Sequence, residues 1–167
     1  MGDVTALRVR RLALAVVVAL LVGAGVAAGP GLGQPAAATA AATQAKPTRS
    51  VAFYFDDVAR TGRLLSAYSR TLERAEGAPG RATPALRAAL RRRTDAFFGQ
   101  LVKMRGYRVN ALVAERQRRR LVGPPGLRVV RAMRRLNTAI GRGNRSTIAS
   151  ARANLVDRVE EWQPTQL

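Results

Sequence analysis

The sequence contains no cysteine and no histidine. Without cysteine there is no disulfide framework, no lipid-modified thiol and no zinc site of the Cys or Cys-His kind. Without histidine the chain lacks the side chain that titrates nearest neutral pH, which removes the usual general base and the Ser-His and Cys-His nucleophile pairs. Acids are scarce as well: ten Asp and Glu stand against 29 Lys and Arg, a formal net charge of +19. Aromatic residues make up 5% of the chain, with a single Trp, so one small core is all that they can anchor. No segment alternates polar and apolar residues between strand-type turns, and the expected fold contains no sheet.

The uncharged, apolar run Leu12–Ala28 governs how the rest is read. Arg8, Arg10 and Arg11 precede it, Gly29-Pro30-Gly31 ends it, and no basic residue follows until Lys46. This is the layout of an export signal: basic flank, apolar middle, small-residue end. Val26-Ala27-Ala28 supplies small residues for a cut before Gly29. Its seventeen residues sit at the lower limit for spanning a bilayer, so cleavage is the favoured reading and an uncleaved anchor the alternative. In both cases the flanking charges keep the N-terminus inside and place the remainder outside the cytoplasm. Arg10-Arg11-Leu12 lacks the polar residue that leads a twin-arginine signal. Three regions follow: residues 1–28 as signal or anchor, 29–46 as an Ala/Gly/Pro-rich linker, and 47–167 as the folded domain.

The domain reads as helices. Ser50 is placed to cap a helix whose stripe is Val51, Phe55, Val58, Gly62, Leu65 and Leu72, ending near Glu76 before Gly77-Ala-Pro79-Gly80. Thr83-Pro84 starts a second helix. Its face through Leu86, Leu90, Phe97, Leu101, Met104, Leu112 and Glu115 can continue to Leu121, with weak points at Gly99 and Gly106. A turn at Gly123–Gly126 precedes a third helix with Val129, Val130, Met133, Leu136 and Ile140, capped by Gly141 or Gly143. Ser146 is the expected cap of a last helix carrying Ile148, Ala151, Leu155, Val159 and Trp162. The expected fold is therefore all-α: a small antiparallel, up-down bundle of about four helices behind an export or anchor segment. An overhang of the long second helix would fold back at Gly106 or form a homodimer.

No constellation rises to a catalytic, metal or cofactor motif. Asp56-Asp57 and Glu160-Glu161 are adjacent on helices, where neighbours point apart, so neither pair can face one substrate. Asp56-Asp57 reads as helix N-terminal charge, and Glu160-Glu161 as partners of Arg158 or a basic neighbour. Gly-Arg-Gly at 141–143 lacks the Lys-Ser/Thr of a phosphate loop. Phe53, Tyr54, Phe55 and Trp162 are read as core. Small exported helical chaperones are similar in size, charge and helicity, but their Leu-Thr-x-x-Gln signature is absent.

Charge is the informative feature. Residues 51–76 are neutral overall and residues 146–162 carry −1, whereas residues 84–145 hold seventeen basic residues against Asp95 and Glu115. Arg116, Arg118, Arg119 and Arg120 lie before the Gly123–Gly126 turn, and Arg128, Arg131, Arg134 and Arg135 after it. These eight are expected to form one basic, anion-binding end. The expectation is a non-enzymatic, exported protein of the cell envelope. Its partner would be an anionic membrane surface, a wall polymer or an acidic protein. A nucleic-acid-binding module is the first alternative, although no aromatics interleave the Arg runs as stacking platforms. An extracytoplasmic chaperone or assembly factor is the second.

Overall fold

The computed structural model describes residues 46–77 and 82–163. The expected export or anchor segment, and residues 29–45 of the linker, lie outside them. Helix accounts for 84% of this region. There are four long helices and one short one among the described residues: α1 (Val51–Glu76), α2 (Pro84–Arg105), α3 (Leu112–Val122), α4 (Pro124–Arg142) and α5 (Arg145–Trp162).

The local signals act as the residues suggest. Ser50 Oγ accepts the Phe53 N–H at 3.2 Å, and Thr83 Oγ1 accepts the Leu86 N–H at 3.2 Å ahead of Pro84. Gly143 closes α4 in the left-handed region at φ 73°, where a side chain would be strained. The cap of α5 is Asn144 rather than Ser146: its Oδ1 accepts the N–H groups of Ser146 and Thr147. Asn at this position satisfies two of the unpaired first-turn donors at once.

In the helical bundle, opposite ends of α1 and α2, and of α4 and α5, meet. Asp57 near the start of α1 contacts Lys103 near the end of α2. Asn137 of α4 bonds Thr94 of α2, and Arg128 at the start of α4 reaches Glu161 at the end of α5. The core lies between these helices: Tyr54, Tyr68, Leu90, Phe97, Leu101, Met104, Val129, Met133, Leu136 and Trp162 are all buried. A polar relay ties three helices inside it. Tyr68 OH donates to Asn137 Oδ1 at 3.0 Å, and Asn137 Nδ2 donates to Thr94 Oγ1 at 3.0 Å.

Two expectations are corrected. The second helix does not run on to Leu121; the fold-back at Gly106 is the outcome, with α2 stopping at Arg105 and the chain turning before α3 begins. Leu112 therefore leaves the apolar face assigned to it and is 81% exposed, while Glu115 is buried. The second correction is a small parallel sheet. β1 (Thr48–Arg49) pairs with β2 (Arg108–Val109), in the segment freed by that break. The Arg108 N–H donates to Pro47 O and the Asn110 N–H to Arg49 O.

At the other side of α3, one residue makes the junction. Gly123 ends α3 and starts α4. Trp162 Nε1 donates to Leu121 O at 2.9 Å across this junction. Gly126 lies against the same carbonyl so closely that a Cβ there would fall 2.0 Å from Leu121 O. The close approach explains glycine in the first turn of α4, despite its helix cost of ~1 kcal/mol.

A basic corner built around a buried carboxylate

The break at Gly106 folds α3 back against α2, and Glu115 fixes the return. Its carboxylate is buried and accepts four hydrogen bonds. The donors are Arg118 Nε at 2.8 Å, Arg118 Nη2 at 2.7 Å, Arg119 Nε at 2.8 Å and the Val109 N–H at 2.9 Å. Arg118 is only 4% exposed, and its remaining fork nitrogen, Nη1, donates to Met104 O at 2.8 Å. One Arg thus closes two accounts, the Glu115 charge and an unpaired carbonyl in the last turn of α2. The Arg118 fork, with Arg119 and the Val109 N–H, outweighs the cost of burial and holds the Glu115 carboxyl down to about 2.

A second buried acid clamps the same end of α2 from the other side. Asp57 accepts from Lys103 Nζ at 2.7 Å, Gln100 Nε2 at 2.9 Å and Tyr107 OH at 3.0 Å. Burial raises its carboxyl, but these three donors, Lys103 foremost, outweigh burial and leave it below its ordinary value. Phe53 stands beside this cluster, edge-on to Tyr107, with the Arg49 and Lys103 cations over its ring at 5.1 and 5.0 Å. Asp57 is therefore a tie between α1 and α2, a more specific role than helix N-terminal charge.

Around Glu115 the surface opens into a cleft of about 420 Å³, lined by Lys46, Arg105, Arg108, Arg118, Arg119 and Glu115, with Val122, Gly123, Pro124 and Leu127. Among the described residues Glu115 is its only acid and is already bonded to Arg118 and Arg119, so this lining keeps a positive excess. Arg105 and Arg108 are exposed beside it.

The eight arginines expected at one basic end separate into four groups. Arg118 is buried, with its Nε and Nη2 donating to Glu115 and its Nη1 to Met104 O. Arg116, Arg119 and Arg120 are exposed on α3. Arg128 is half-buried and bonds Glu161 at 2.6 Å, with Arg158 on the other carboxylate oxygen at 2.9 Å. Arg131, Arg134 and Arg135 are exposed along α4. Arg134 lies about 16 Å along the helix from Gly123, at 1.5 Å per residue. There it stacks over Phe98 at 5.4 Å and faces Asp95 at 3.9 Å. The basic surface is thus a corner plus a stripe, not one end. Lys46, Arg105 and Arg108 join the corner because the β1–β2 pairing and the Gly106 break bring them there. The Gly106 weak point was the one sequence signal for this.

Phe53, Tyr54 and Trp162 pack into or against the core as expected, and Glu161 has its basic partners. Among the described residues no cluster of acids could hold a metal ion, and no helix is long and apolar enough to cross a membrane. No protein-family model, curated protein or solved structure matches the chain.

Glu115 gives the corner a measurable pH signature. Because its folded value lies below the ordinary 4.5, its contribution is complete above that pH and is lost as pH falls toward about 2. Asp57 acts in the same direction, and Glu76, raised by burial over the opposing pull of Arg152, acts in the opposite one. Glu115→Gln is expected to destabilise the domain by roughly 3 kcal/mol, because it leaves Arg118 buried without its counter-charge. Denaturant unfolding between pH 7 and 2 checks both points. The variant should show a flatter loss of stability in acid than the parent.

Proposed function

We propose that the protein is an exported, non-enzymatic component of the cell envelope that binds an anionic partner through the basic corner of α2, β2 and α3. The observation that carries this reading is the cleft itself, where Lys46, Arg105, Arg108 and Arg119 surround a single, internally satisfied carboxylate. A solvent-facing group of like charges repels itself, and an anion relieves that repulsion. Arg suits phosphate or carboxylate oxygens because its planar fork bonds two of them together. Export is supported by the charge asymmetry around Leu12–Ala28. A non-enzymatic role is supported by the absence of His and Cys and by the structural use of Asp57 and Glu115.

Binding of the full chain to polyphosphate should weaken steeply as salt rises. Replacing Lys46, Arg105 and Arg108 with Gln is expected to cost roughly 3 kcal/mol, at ~1 kcal/mol for each charge near an anionic surface. That is on the order of a hundredfold in affinity. Arg118 is left intact because its loss would perturb the fold. Replacing Arg60, Arg63 and Arg70 on the charge-balanced α1 should cost far less. Equal losses would mean that net charge alone matters, and no binding at low salt would remove the reading. For export, a reporter active only outside the cytoplasm, fused after Leu167, should be active. A silent reporter in a well-expressed fusion would contradict it.

A further inference from the structure

The outward face of α3 has an unusual composition. Its exposed residues are Leu112, Val113, Arg116, Arg119 and Arg120 and no others, so it presents two large apolar side chains and three arginines. Leu112 is 81% and Val113 61% exposed, and with Val102 of α2 they are the exposed large apolar residues of the described region. Single exposed apolar residues are ordinary on a protein surface. Two adjacent ones at the head of a helix whose remaining outward side chains are all Arg are a different case. Long Arg side chains reach sideways to phosphates while their stems and neighbouring apolar side chains enter the acyl boundary.

We infer that α3 is a membrane-docking element: its Leu112–Val113 pair inserts into the interface of an anionic lipid bilayer, and Arg116, Arg119 and Arg120 engage the headgroup phosphates. This rests on the anionic-partner reading above and names the partner.

Two further observations orient the domain the same way. The first concerns where the chain enters it. Lys46 lines the cleft, and Thr48–Arg49 pair with Arg108–Val109 three residues ahead of Leu112. In the uncleaved-anchor alternative, the seventeen residues between Ala28 and Lys46, which span at most about 60 Å, would deliver the chain from the membrane to this corner. The second is the opposite polarity of α5. Its exposed Asp157, Glu160 and Glu161 would be repelled by an anionic surface, although Glu161 is partly neutralised by Arg128 and Arg158. The charge distribution therefore favours α3 over α5 as the element that meets such a surface.

The absence of cysteine gives a direct test. Full-length protein carrying Leu112→Cys as its only thiol is labelled with an environment-sensitive fluorophore. It is then reconstituted with vesicles of phosphatidylglycerol or of phosphatidylcholine. Leu112 lies outside the core, so the variant should fold as the parent does. A parallel protein carries Ala153→Cys on the exposed face of α5. The label at 112 should shift to the blue on phosphatidylglycerol, lose the shift in high salt and show little shift on phosphatidylcholine. The label at 153 should report water throughout. A water-like signal at 112 on phosphatidylglycerol overturns the docking element. So does an equal blue shift on both lipids, or an equal shift at 112 and 153. If the docking signal fails while the protein still binds polyphosphate in a salt-sensitive manner, the lipid partner falls and the anionic-partner reading stands. If polyphosphate binding also fails, both fall.

Discussion

The structure depends most on the burial of Glu115 against Arg118. A carboxylate in a protein interior is costly unless its charge and lone pairs are satisfied, and here four donors converge on it. The arrangement also anchors backbone. The Val109 N–H belongs to β2, and Met104 O belongs to the last turn of α2, so the ion pair reaches both segments flanking the Gly106 break. A pair of this kind need not add net stability over a well-packed apolar pair. Its consequence is directional: with Glu115 and Arg118 turned inward, Arg116 and Arg120 face outward, while Arg119 flanks Glu115 and bonds it through Nε.

The second acid works at the same place. Asp57 holds Gln100, Lys103 and Tyr107, so the last turns of α2 are gripped by α1 on one side and α3 on the other. The body of the domain is held more conventionally, by apolar burial and by the Tyr68–Asn137–Thr94 relay. Acids are rare in this chain, and two of them are used at the corner where cations gather. Neutralising the inside of the corner leaves Arg116, Arg119 and Arg120 exposed on its outer side, with Arg119 also bonded to Glu115.

Much of the helical order could be read from residues. Ser50, Thr83-Pro84 and Gly143 act through local backbone geometry, which spacing reports well. The stripe Val129, Val130, Met133, Leu136 and Ile140 is buried as its period demands. What could not be read was tertiary. A two-residue strand has no alternation to detect, so the β1–β2 pairing left no signal. The break at Gly106 was visible as a weak point, but not the rotation that exposes Leu112 while Glu115, placed on the same face, is buried. Arg118 sits in a run with Arg116, Arg119 and Arg120, and nothing in that run marks it as the one turned inward. Asp57 differs from Asp56 only in the neighbours that a folded chain supplies. Lys46, Arg105 and Arg108 are scattered in sequence and meet only because the chain folds back.

One buried ion pair builds the basic corner. A double-mutant cycle of Glu115→Gln and Arg118→Met, read as unfolding free energy at pH 7, tests it most directly. Strong coupling is expected: each single variant should lose about 3 kcal/mol, and the double variant should lose no more than either single one, since each removal strands the other group. Additive losses would contradict it, because they would mean that the two side chains stabilise the corner independently.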